Sequence, residues 1–328
     1  MAQVTTSTSP GDPARPPDAA AAARSESASV RAALAASERA ELHATPGFYT
    51  RSARRFRKDR LAMIALAIFA VIVLFVLSAP LVSRWTGFSP QENHLAAKLT
   101  PPLTDGYLLG ADGNGRDLLT RLAYGGRVSL MIAFLSSITT LVLGGALGLI
   151  SGFSGKWVDM VLMRLVDVLL SIPGLPLLIL IATLYTPGPA GLALVLAVIG
   201  WPGIARIIRG EVLSLRGREY VEAARLVGAS PTRIMVRHLL PNVAPLIVVF
   251  ASLAIPDLIL AEAGLSFLGI GVQVPTPSWG NMLQEAARYF RTNASNVVIP
   301  GAMIYVTSLC LYLIGNGIRD AFDPRLGD

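Results

Sequence analysis

The chain has 328 residues, is 53% hydrophobic and only 15% charged, with a mean hydropathy of +0.56. A water-soluble domain of this size carries far more polar surface, so these values exclude one and indicate a polytopic membrane protein. The formal charge of +7 is not a nucleic-acid signal, because the basic residues are placed around the apolar runs.

Residues 1 to about 46 are rich in Ala, Ser, Pro and charge. They cannot build an apolar core, so a disordered tail is expected there, with residues 29–42 suited to a transient helix. The first 30 residues lack the apolar stretch of a signal peptide. Arg54-Arg55-Phe56 resembles a twin-arginine signal but reads more simply as a basic anchor for the first span.

Six apolar runs follow, at residues 61–82, 128–151, 158–184, 190–208, 239–260 and 297–318. Each approaches or exceeds the ~20 residues that cross a bilayer core. Each must be helical, since lipid offers no partner for backbone polar groups. Residues 168–205 contain no charge and are too long for one span, and Pro187-Gly188-Pro189 divides them. The expected organisation is a tail (1–46), a first helix with its outer loop (47–127), a five-helix core (128–318) and a short end (319–328).

Arg51, Arg54, Arg55, Arg57, Lys58 and Arg60 precede the first run. Lys156 lies between the second and third, and Arg206, Arg209, Arg216, Arg218, Arg225, Arg233 and Arg237 between the fourth and fifth. Arg319 and Arg325 follow the sixth. With six spans all of these fall on one side, and the positive-inside bias makes it cytoplasmic, with both termini. The first outer loop is balanced, with Arg84, Lys98, Arg116 and Arg121 against Glu92, Asp105, Asp112 and Asp117. Trp85 and Trp279 are expected at the membrane interface.

Several motifs fail as chemistry. Asp112-Gly113-Asn114-Gly115-Arg116-Asp117 begins like a calcium loop but places Arg and Asp where an oxygen ligand and Gly belong. It reads instead as a tight outer turn locked by Arg116 and Asp117, with contact to a docked partner as a second role. His43, His94 and His238 are scattered, so neither a catalytic nor a metal cluster is expected. The one cysteine, Cys310, excludes internal disulfides and reads as a small packing residue. Gly155-Lys156 lacks the rest of a phosphate loop, so no ATP hydrolysis is expected of this chain.

Charges inside spans are functional candidates. Arg164 and Asp167 are spaced to pair. Asp257 and Glu262 lie near the outer end of the fifth span, where Glu262 is expected to face the outer mouth of a translocation path. Pro173, Pro176, Pro202, Pro241, Pro245 and Pro256 are expected to interrupt spans three to five. Such kinks suit helices that rock between two packings, though a rigid bundle carries kinks as well.

Residues 218–227 are good helix formers, stopped by Gly228, and Ser230-Pro231 restarts a helix. Ala223 and Ala224 let a partner approach closely, while Glu219, Glu222 and Arg225 supply charge. On physics alone this helix either rests on anionic lipid or docks a partner protein.

Glu222-Ala223-Ala224, Gly228 and Leu240-Pro241 resemble the motif of importer-type ABC transporter permeases named for its Glu-Ala-Ala. His238 replaces the family's usual isoleucine, and Leu239 can supply that apolar contact. Residues 109–121, 126–130, 264–273, 277–280 and 319–325 are similar to the C-type permease subunit of dipeptide/oligopeptide importers. The resemblance covers roughly residues 47–328. It implies an all-α polytopic fold with six transmembrane helices in a bacterial or archaeal inner membrane. It also implies a coupling helix at about 218–228, in which Glu219, Tyr220, Glu222, Ala223, Ala224, Arg225 and Gly228 meet an ATPase groove. The implied partners are two ATPase subunits that use ATP and Mg, a homologous second permease and an extracytoplasmic binding protein contacted by Arg116, Asp117 or Trp279. No cofactor is implied on this chain. The implied cargo is di- or oligopeptide, with nickel complexes, glutathione or another small solute as alternatives. A stand-alone secondary transporter and a membrane-embedded enzyme are the rival classes. The exposed Glu-Ala-Ala helix argues against the first and the scattered histidines against the second.

Overall fold

The computed structural model describes residues 48–185 and 187–322. The expectations for residues 1–46, and the Asp323-Pro324-Arg325 end of the last motif, lie outside the described residues. The chain divides after Arg51 into two units, and the elements below belong to the second apart from the first residues of α1.

All regular structure among the described residues is helical apart from two isolated β-bridges. α1 (Phe48–Lys58) stops at Asp59, whose extended backbone redirects the chain and whose carboxylate accepts from Leu61 N and Ala62 N to cap α2 (Arg60–Leu77). α3 (Ala79–Thr86) follows after a break at Ser78, with Pro80 in its first turn. The first predicted span is therefore two helices, because a proline has no N–H to continue α2.

α4 (Leu118–Phe153) is 36 residues long, about 54 Å at 1.5 Å per residue, and so overshoots the bilayer core. It begins ten residues before the predicted start, because the Asp117 carboxylate accepts from Thr120 N at 2.8 Å and caps it there.

The third span departs most from expectation. A single helix over 158–184 is replaced by α5 (Lys156–Ser171) and α6 (Gly174–Tyr185), bent by 84°. Pro173 causes the break, since it cannot donate and it forces Ile172 into extended backbone at ψ 125°. α7 (Pro189–Leu215), α10 (Leu240–Phe267) and α12 (Ser295–Phe322) run continuously through Pro202, Pro245, Pro256 and Pro300. The expected interruptions at Pro202, Pro245 and Pro256 are thus absent, and Pro241 lies just after a π-helical turn inside a helical stretch that runs unbroken from Pro231 to Phe267. Among the described residues five helices are long and apolar enough to cross a membrane, or six if the bent pair counts as one span.

Between α7 and α10 lie α8 (Glu219–Leu226), α9 (Pro231–Ile234) and a π-helical turn, Met235–Leu239. α11 (Trp279–Ala287) stands in the outer loop before α12.

α4 is the spine. A Cβ on Gly144, Gly148 or Gly152 would lie 2.8 Å from Trp201 O, 2.6 Å from Ala205 O or 2.7 Å from Val212 Cβ. This four-residue stripe lets α7 lie directly on α4, the small-residue contact by which membrane helices associate without a hydrophobic driving force. One core cluster joins α2, α4, α10, α11 and α12 through Val76, Leu122, Leu130, Ile259, Trp279 and Ile304. Another gathers Leu149, Ile208, Val212, Val221, Ala224, Ile234, Leu239 and Val243 around α8. Cys310 is buried, as expected of a packing residue.

Candidate functional site: helix α8 and the outer cap

Helix α8 forms where the sequence places it, and its end explains its sharpness. Gly228 takes φ +80°. Its N–H bonds Arg225 O at 3.0 Å, and Ala229 N bonds Ala224 O at 3.0 Å, the paired closure that uses a left-handed glycine. Ser230 then caps α9 by accepting from Arg233 N. The chain therefore leaves α8 and starts α9 within four residues, which keeps α8 a separate rod.

Two faces of α8 differ. Val221 and Ala224 are buried, at 0% and 8% exposure, against Ile208, Val212, Ile234 and Leu239. Ala224 is small where α8 lies close to its own bundle, and its edge also lines the groove beside Ala223 and Val227 described below. Glu219, Tyr220, Glu222, Ala223, Arg225 and Gly228 are exposed. Leu226 and Val227 are 90% and 86% exposed. An open groove of about 740 Å³, lined by Leu215, Arg218, Glu219, Tyr220 and Asn242, runs along one side. A second, of about 590 Å³, is lined by Tyr220, Ala223, Val227, Arg233, Arg237 and His238. Tyr220 stands between them.

The rod is tied to the bundle at its base. Arg225 lies 5.3 Å from the ring centroid of Phe153, the last residue of α4. Arg216 donates to Gly152 O at 3.1 Å. Beside them Arg209 of α7 grips Asp159 of α5 through Nε at 2.5 Å and Nη2 at 2.7 Å, and Ser151 of α4 donates to the same carboxylate at 2.6 Å. Displacing α8 therefore loads α4, α5 and α7 together. Asp167 pairs with Arg206 rather than with Arg164, because α7 brings a guanidinium across a gap that spacing along α5 cannot reveal.

The outer end is built differently. Arg116 bonds Asp112 at 2.7 Å and Glu285 at 2.6 Å. Arg121 lies 3.2 Å from Asp112 and 2.8 Å from Glu285. Two cations and two carboxylates thus close on each other. Tyr107 stacks on Phe88, and burial, followed by the charges of Asp117, Asp105 and Asp112, pushes its phenol above the ordinary value.

Here the predicted partner contacts are corrected. Arg116, Asp117 and Trp279 are 5%, 1% and 0% exposed, consumed by the chain's own ion pairs, helix cap and core. Trp279 is accordingly no interface anchor, whereas Trp85, at 73% exposure, is free to be one. Glu262 does not face an outer mouth either. It is 0% exposed and accepts from Ser129 and Ser266, whereas Asp257 on the same helix is exposed. Leu226 and Val227 are not singled out in the sequence, since two apolar residues before a glycine carry no sign of which way they face. The Arg121–Glu285 pair joins residues 164 positions apart, beyond any local signal.

The fold is that of an ABC importer permease. A solved chain of the MetNI methionine ABC transporter in an inward-facing conformation superposes with a TM-score of 0.51 at 21% identity, over 61% of this chain and 96% of that one. Residues 144–328 match the family described as the binding-protein-dependent transport system inner membrane component. Residues 47–102 match the N-terminal TM domain of oligopeptide transport permease C.

Relatives match nearly end to end. The oligopeptide transport system permease protein OppC of Haemophilus influenzae is 38% identical over 83% of this chain and 87% of its own length. Those of Salmonella typhimurium and Escherichia coli K12 are each 37% identical over 83% of this chain and 89% of their own length. The chain belongs to the family of binding-protein-dependent transport system inner membrane components, and is a multi-pass permease subunit.

Proposed function

We propose that this permease carries di- or oligopeptides inward, driven by ATP hydrolysis in separate subunits. The observation that carries the reading is α8: a short rod anchored on α4 and α7, with Tyr220, Leu226 and Val227 turned away from the bundle. Leu226 and Val227 are apolar and almost fully exposed beside charged residues, and two grooves separated by Tyr220 suit a protein surface better than a flat lipid one. Glu219, Glu222, Ala223, Arg225 and Gly228 surround them as the coupling surface.

The partners in this reading are two ABC ATPases, a homologous second permease and an extracytoplasmic binding protein. The chain carries no phosphate loop of its own, so ATP and Mg belong to the ATPases. ATP-driven closure of those subunits pushes α8, and with it α4 and α7, to open the cavity outward. The binding protein then delivers cargo, and hydrolysis resets the cavity. Exposed Asp257 of α10 is a candidate lining residue. The basic residues around α1 and α8 put both termini in the cytoplasm. The cargo follows the relatives, which are oligopeptide permeases by name.

A cross-link tests the central claim. Cys310 is buried, so a Leu226→Cys chain presents one accessible thiol on α8. Co-expressed with its ATPases, it should cross-link to them and to nothing else in quantity, and the parent complex in vesicles should import labelled peptide. Failure of both would end the reading.

A further inference from the structure

Glu262 is a fully buried carboxylate in α10, and the transport scheme above leaves it without a role. The ion pairs of the outer end go to Asp112 and Glu285 instead, and among the described residues no cation forms an ion pair with Glu262. A buried carboxylate is costly unless its lone pairs are met. Here hydroxyls meet them: Ser129 of α4 donates to one oxygen at 2.8 Å and Ser266 to the other at 2.7 Å. The Ser278 hydroxyl lies beside the same group.

A serine hydroxyl has one proton and two lone pairs. Both serines give that proton to Glu262 and use a lone pair to hold the outer loop. Trp279 N–H donates to Ser129 Oγ at 3.2 Å, and Val272 N–H donates to Ser266 Oγ at 3.0 Å. Each relay runs from loop backbone to serine to carboxylate. By accepting both serine protons Glu262 leaves each hydroxyl a lone pair turned to the loop. The loop also lies tight on the same helices. A Cβ on Gly280 would sit 2.7 Å from Ala263 Cα, and one on Gly126 would sit 2.6 Å from the Trp279 ring. The indole N–H of Trp279 donates to Leu122 O at 2.9 Å.

We propose that Glu262 is a positioning residue for transport: through Ser129 and Ser266 it fastens the outer loop between α10 and α11 onto α4 and α10, and so holds the face at which cargo is delivered. The fastening stands on geometry alone, and its consequence for cargo rests on the importer reading.

The test is Glu262→Gln in the full complex, in lipid nanodiscs and in proteoliposomes. The amide keeps the volume but has one acceptor oxygen, so one relay loses its direction. Amide hydrogen exchange at residues 268–280 should quicken about tenfold, the cost of one net hydrogen bond, while α4 and α12 stay within about twofold. Uptake that depends on the binding protein should fall about fivefold while ATP hydrolysis without binding protein is unchanged, a split that general damage would not produce. Ser266→Ala should quicken the same segment and serves if the amide variant does not fold. Unchanged exchange in 268–280, or quickening spread over the whole bundle, overturns the proposal. So does a loosened loop with normal uptake. If the parent complex itself imports no peptide, the transport reading fails, while the exchange result still decides the fastening.

Discussion

The two ends of the bundle treat charge and exposure in opposite ways. At the outer end Arg116, Arg121, Asp112 and Glu285 are turned onto one another, and Trp279 and Glu262 are sealed inside. At the inner end α8 holds only Val221 and Ala224 in the core and leaves Tyr220, Leu226 and Val227 outside. The outer groups hold the chain to itself, so altering them should cost stability. The inner ones hold little, so altering them should cost assembly instead.

The largest effect should come from Arg121→Met. Its guanidinium is 1% exposed between two carboxylates, and its loss leaves Arg116 alone to meet both, at about the 3–5 kcal/mol typical of breaking a buried pair. Thermal unfolding in detergent would read it, and a loss under 1 kcal/mol would mean that the outer cap is not a locked unit. Gly148→Val comes next. The new Cβ would lie 2.6 Å from Ala205 O, and overpacking of this kind costs about 1–3 kcal/mol. That lowered melting point should carry a matching loss of α4–α7 cross-linking.

Leu226→Ser with Val227→Ser sharpens the contrast. Stability should stay within about 0.5 kcal/mol, while affinity for the ATPase partner falls about tenfold, near 1.4 kcal/mol. A variant that melts early but still binds would reverse the assignment of the two ends. The smallest effect belongs to Asp167→Asn. Its pair with Arg206 is half exposed on both sides, and such pairs contribute about 0–1 kcal/mol. Adding salt to the parent should imitate it.

Much of this was legible beforehand, and the exceptions are physical. Gly228 announced the end of α8 because a left-handed position there favours glycine, and Ser230-Pro231 announced α9 because a hydroxyl cap and a fixed φ suit a helix start. Pro173 could be read as an interruption but not as an 84° bend, since Pro202, Pro245 and Pro256 stand inside helices that do not break. Arg116 and Asp117 read first as locking a tight outer turn, which their bonds agree with. Their second reading as partner contacts, like that of Trp279 and Glu262 as outward groups, followed only from lying near the outer end. Their burial depends on Glu285, Ser129 and Ser266, none of which is close in sequence except Ser266.

By itself, then, the sequence determined the membrane class, the helical content and the place of α8, because apolar length, glycine and capping residues act over one or two turns. Only the tertiary structure decided which side of α8 is free, which charges neutralise each other and that Glu262 is an internal fastening. Those outcomes depend on groups from α4, α7, α10 and α11 meeting across the bundle. Such meetings are fixed by close packing, as where Gly144, Gly148 and Gly152 admit α7, and local pattern carries no record of them.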